Sequence, residues 1–98
     1  MARIELAPEI VLDFERILEH LMTHAVADAP RRLDEILAAL DVLEQNPLIG
    51  RPARGELREL VMGRRSRGYV ALYRDVPETD SVFVLAIRSQ QEAGYARD

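Results

Sequence analysis

The chain has 98 residues and no cysteine, which suits one domain with a single modest core and removes disulfide and thiol chemistry. No apolar run approaches the ~20 residues of a membrane span. No basic stretch followed by an apolar one opens the sequence, so the expectation is one cytoplasmic domain over 1–98 with no membrane partner. Thirteen cations, all of them arginine, face 17 acids for a net charge of −4, unevenly spread. Residues 1–47 hold four Arg and ten acids (4 − 10 = −6), whereas residues 48–98 hold nine Arg and seven acids (9 − 7 = +2). That asymmetry predicts one acidic and one basic functional face.

Residues 2–6 alternate, with Ala2, Ile4 and Leu6 set against Arg3 and Glu5, and predict a short half-buried strand. Pro8 and Glu9 then suit a helix start, since proline lacks only an N–H that is unused there and a carboxylate favours the positive end of the helix dipole. Ile10, Val11, Phe14, Ile17, Leu18, Leu21, Met22 and Ala25 fall at helical offsets, with Asp13, Glu15, Arg16, Glu19 and His20 at the remaining positions. A break at Asp28 and a restart at Pro30 lead into a second helix carrying Leu33, Ile36, Leu37, Leu40 and Leu43 on one face. Asn46 and Pro47 end it. The short link predicts a helical hairpin.

A turn-rich loop over 47–52 precedes three strand candidates, at 57–62, 69–76 and 82–88. Gly63 and Gly68 bound the first connection, and Pro77 to Asp80 form the second, so both fit antiparallel hairpins. The last strand is apolar on both parities, as in a central strand covered on both faces. The predicted order is β-α-α-β-β-β: an α+β two-layer sandwich, with the helical hairpin on one face of a mainly antiparallel four-stranded sheet.

Seven of the thirteen arginines fall between Arg51 and Arg74, where only Glu56 and Glu59 oppose them (7 − 2 = +5). Guanidinium is planar, permanently charged and able to grip carboxylate or phosphate with two bonds. A surface that holds something anionic is the functional reading, and ordinary solvated charge is the plain one. His20 and His24 sit four apart, but a zinc site would need a carboxylate such as Asp28 as a further ligand. The expectation is no metal and no cofactor.

The helical hairpin ending in "NPLIGRP" at 46–52, "LRELV" at 57–61, "GYVALYR" at 68–74 and "VFVLAIR" at 82–88 together resemble the RelE/ParE superfamily of bacterial toxins, over nearly the whole chain. The resemblance implies the toxin of a type II toxin–antitoxin module. Its partner would be a cognate antitoxin that folds on the toxin surface. RelE-like members cut messenger RNA on the ribosome, whereas ParE-like members poison DNA gyrase. A RelE-like endoribonuclease would draw on Arg58, Arg65, Arg67, Arg88 and Tyr95, with Glu92 as a possible base. The chain departs from that pattern: lysine is absent, both histidines lie in the first helix, and arginine is a poor base. An acidic total charge also weakens long-range attraction to RNA. The reading therefore inclines to a ParE-like gyrase inhibitor with Arg64, Arg65, Arg67, Arg88 and Tyr95 as target contacts. A non-toxic domain that only pairs with an antitoxin is the remaining alternative. Met22 and Val26, beside Tyr69, Ala71 and Tyr73 on an open sheet face, are the expected antitoxin contacts.

Overall fold

The computed structural model describes residues 1–24, 26–63, 68–92 and 94–95. Strand β1 (Arg3–Leu6) leads to helices α1 (Ile10–Thr23) and α2 (Ala29–Leu40), which continues into a 3-10 turn at Asp41–Glu44. Strands β2 (Arg51–Pro52), β3 (Leu57–Met62), β4 (Tyr69–Val76) and β5 (Ser81–Ser89) follow. The order across the sheet is β1-β5-β4-β3-β2. The sheet thus has five strands where four were expected, and it is mixed: β1 runs parallel to β5, while the other pairings are antiparallel. Strand β2 has only two residues, Arg51 and Pro52, and a proline whose missing N–H suits an edge reads in sequence as turn.

Both helices pack on one face of the sheet. Ile10, Ile17 and Leu21 of α1, with Ile36 and Leu40 of α2, join Leu60, Met62, Val82, Val84 and Ile87 in one core. The helical stripe is narrower than its sequence suggests. Val11 and Met22, assigned to the apolar face, are exposed. Asp13, assigned to the polar face, lies in the buried row Ile10, Asp13, Ile17, Leu21.

That burial has a specific cause. Strand β1 stops pairing at Leu6, opposite Val84, so β5 runs on beyond its neighbour. The N–H of Ile87 on that side donates to Asp13 Oδ2 at 3.0 Å, and the Ile87 carbonyl accepts from Arg16 Nη2 at 3.0 Å. Asp13 Oδ1 accepts in turn from Arg16 Nη1 at 2.9 Å. Two helix side chains therefore stand in for a missing strand and satisfy backbone groups that burial would otherwise leave unpaired.

A bulge decides which face each β5 side chain takes. Leu72 pairs with Ala86 but Tyr73 pairs with Val84, so Leu85 is the extra residue. Before it, Val82 and Val84 face the helices; after it, Ile87 does, and Ala86 and Arg88 are thrown to the other face. On β4 the expected open face is corrected. Tyr69, Ala71 and Tyr73 are 7%, 0% and 0% exposed and belong to the helix-facing core, since their side chains fill the gap between sheet and helices. The Tyr73 hydroxyl accepts a hydrogen bond from the Gly50 N–H at 2.8 Å, tying the loop before β2 to the core.

Candidate functional site

The sheet face turned away from the helices carries a compact charged cluster. Three local features assemble it. Pairing of β2 with β3 sets Arg51 directly opposite Glu59. The bulge puts Arg88 on the same face, opposite Val70, one row from Glu59, which pairs with Leu72. The tail after β5 then brings Tyr95 over both.

Glu59 is the centre. Its Oε1 accepts from Arg51 Nε at 3.1 Å, and its Oε2 accepts from the Tyr95 hydroxyl at 2.8 Å. Arg88 Nη2 lies 3.9 Å from the same Oε2, and the Arg88 guanidinium carbon sits 5.1 Å from the centroid of the Tyr95 ring, a cation–π contact. Glu59 and Arg88 are 16% and 15% exposed at their side chains, so both charges are largely removed from water. Arg88 Nη1 donates to the carbonyls of Ser89 and Glu92 at 3.1 and 3.2 Å. Its buried Nε has no hydrogen-bond partner among the described residues.

The electrostatics follow from these contacts. Burial alone would raise the Glu59 carboxyl, but the Tyr95 hydroxyl and the Arg51 guanidinium outweigh it and hold Glu59 below its ordinary value of 4.5. Tyr95 moves the other way. Burial, reinforced by its bond to the Glu59 carboxylate, pushes the phenol far above its ordinary value of 10. Near neutral pH the cluster is therefore a fixed array of two guanidiniums, one carboxylate and one protonated phenol. It can bind a carboxylate or phosphate through Arg88.

The remaining predicted residues lie elsewhere or outside the described part of the chain. Arg64, Arg65 and Arg67 fall in 64–67, outside the described residues. Arg58 alternates with Glu59 and pairs opposite Tyr73, on the helix-facing side, because adjacent strand residues point oppositely. Its Nη1 donates to the carbonyls of Leu48 and Gly50 at 3.2 and 2.8 Å, so it braces the loop and stands apart from Arg88. Arg74 pairs with Glu56 at 2.8 Å. Glu92 belongs to the tail and is bound by Arg16 at 3.0 Å.

Val26 and Tyr69 line a groove of about 620 Å³ between the helices and the end of β5, together with Leu21, Arg32 and the His20–His24 pair. The ring centroids of that pair lie 4.3 Å apart with the planes tilted by 39°, and His24 Nδ1 lies 2.9 Å from the His20 carbonyl oxygen. Among the described residues no group of three or more His, Cys, Asp or Glu could hold a metal ion, and no helix is long and apolar enough to cross a membrane.

In sequence Glu59 stands as a counter-charge in the arginine-rich segment and as part of "LRELV", and neither gives it a place in a site; the structure makes it the centre of the cluster.

A family model described as the ParE toxin of type II toxin–antitoxin system, parDE, matches residues 4–94. Toxin RelE3 of Caulobacter vibrioides is 33% identical over 92 residues, covering 94% of this chain and 98% of that protein. Among solved structures, the chromosomal ParDE TA system from P. aeruginosa aligns with a TM-score of 0.74 at 20% identity, covering 91% of this chain and 96% of that one. The intact E. coli RelBE toxin–antitoxin complex aligns with a TM-score of 0.64 at 14% identity, covering 94% and 100%.

Proposed function

Because this chain belongs to the ParE toxin family of type II toxin–antitoxin systems, within the RelE/ParE superfamily, we propose that it inhibits DNA gyrase and is neutralised by a cognate antitoxin. The observation that supports this choice of target is the geometry of the Glu59 cluster, whose carboxylate is bonded by Arg51 and Tyr95 and faced by Arg88. Cleavage of RNA through its 2′-hydroxyl needs a base and an acid that exchange protons near neutral pH. Glu59 is held ionised by three neighbours and is a weak base, and Tyr95 is held protonated by burial and by Glu59. An array of this kind suits docking on a protein surface, where Arg88 and Tyr95 act as a charged and an aromatic anchor. Arg64, Arg65 and Arg67, in the segment between β3 and β4, are further target contacts in this proposal.

The antitoxin reading draws on the partners named for the two structural neighbours, ParDE and RelBE. Its segment would lie on the helical side, over exposed Met22 and half-buried Val26. Tyr69, Ala71 and Tyr73 would support that surface from beneath as core residues, with no direct contact through an open sheet face.

One observation favours a second reading, a ribosome-dependent endoribonuclease. Arg88 Nε, buried in the cluster with Glu59 and Tyr95, has no hydrogen-bond partner among the described residues, and a phosphate oxygen would satisfy it. Expression of the chain without antitoxin separates the readings. Gyrase poisoning predicts growth arrest with induction of the DNA-damage response and gyrase-linked breaks. Ribosome-dependent cuts in messenger RNA without DNA breaks would replace the first reading with the second, and harmless expression would remove both.

A further inference from the structure

We propose that Glu92 and Arg16 are positioning residues: together they latch the tail to α1 and so set Arg88 and Tyr95 in place around Glu59. The inference deepens the proposed target surface and rests on that reading for its functional meaning, while its geometry stands by itself.

Tyr95 lies six residues beyond Ser89, the last residue of β5, so no strand ladder fixes it. Glu92 does so from both of its ends. On the side chain, Oε1 accepts from Arg16 Nε at 3.0 Å, and Oε2 accepts from the Ser89 N–H at 2.6 Å and from Arg16 Nη2 at 3.3 Å. On the main chain, the Glu92 N–H donates to the Ser89 carbonyl at 3.1 Å, and the Glu92 carbonyl accepts from Arg88 Nη1 at 3.2 Å. One residue thus closes the turn after β5 and holds Arg88 Nη1, while Nη2 lies 3.9 Å from Glu59 Oε2.

Arg16 is a firm anchor for this turn. It is held by Asp13 Oδ1 and by the Ile87 carbonyl, both part of the arrangement that replaces a strand beside β5. Burial works to lower the Arg16 guanidinium, but Asp13 and Glu92 more than compensate and raise it, so it stays charged. The latch therefore links α1, through Arg16 and Glu92, to a cluster on the opposite face of the sheet.

Tyrosine absorbance at 295 nm provides a test that does not depend on toxicity. Burial raises Tyr69, Tyr73 and Tyr95 above the ordinary value of 10, so in the native chain each should be less than half ionised at pH 10. Glu92→Ala should release Tyr95 and add about one-half tyrosinate per chain at pH 10. The gain should vanish when Tyr95→Phe is added to the same variant. Circular dichroism reports folding, and Glu92→Gln, which keeps the side-chain volume, is judged by the same criterion if Glu92→Ala does not fold. A folded variant that titrates like the native chain overturns the latch. A freed Tyr95 with at least a tenfold loss of gyrase inhibition supports both the latch and its role. A freed Tyr95 with undiminished inhibition keeps the latch and overturns the assignment of the cluster to the target.

Discussion

Replacing Asp13 by alanine is the sharpest probe of how α1 holds the sheet. The Asp13 side chain is 1% exposed and bonds the Ile87 N–H at 3.0 Å and Arg16 Nη1 at 2.9 Å. Pairing with β1 ends at Val84, so no strand can supply Ile87 with another acceptor. Leaving a buried donor unpaired costs about 1–3 kcal/mol. Breaking a buried ion pair from one side costs about 3–5 kcal/mol. Arg16 is 32% exposed and retains Glu92 and the Ile87 carbonyl, which favours the lower end, about 3 kcal/mol. For a domain of this size that lowers Tm by about 12–24 °C. Asp13→Asn keeps an oxygen that can accept from Ile87 and should cost only about 1 kcal/mol, or about 4–8 °C. Thermal unfolding followed by circular dichroism measures both. Two variants melting within a couple of degrees of the parent would refute the idea that Asp13 completes the β5 edge.

Gly50→Ala should destabilise by about 1–3 kcal/mol in chemical denaturation, because a Cβ there would lie 2.6 Å from the Tyr73 ring and 2.8 Å from the Glu59 carbonyl oxygen. Tyr73→Phe leaves the Gly50 N–H without its buried acceptor and should cost about 1–3 kcal/mol in the same assay. Glu59 gives a pH signature. Its folded value lies below the ordinary 4.5, so its ionised form contributes stability above about pH 4.5, and that contribution fades as pH falls through the depressed value. The Tm gap between the parent and Glu59→Gln should therefore narrow between pH 6 and pH 3; a constant gap would show that ionised Glu59 adds nothing.

The hairpin of helices and the three long strands were legible because each carries its own period: 3.6 residues in α1 and α2, and glycine- or proline-bounded apolar runs in β3, β4 and β5. The parallel pairing of β1 with β5 was not, since it joins residues nearly eighty positions apart and leaves no local trace. The bulge at Leu85 hid the face of Arg88. A strand that is apolar on both parities accepts either register, and only pairing with Tyr73 and Leu72 fixes it. Asp13 was misplaced for a related reason. Periodicity assigns carboxylates to solvent, yet the Ile87 N–H, lying beyond the pairing with β1, takes its acceptor from Asp13 inside. Arg88 and Tyr95 were singled out from sequence, and Glu59, which joins them, emerges only when β2, β3 and the tail are brought together.

The most direct test of the central claim is DNA supercoiling by purified gyrase in the presence of the isolated chain and of its Arg88→Ala variant. Inhibition by the parent chain, weakened about 30-fold in the variant, or about 2 kcal/mol at an anchoring arginine, is the expected result. Gyrase that supercoils unimpeded while the same preparation cuts ribosome-bound messenger RNA would contradict it.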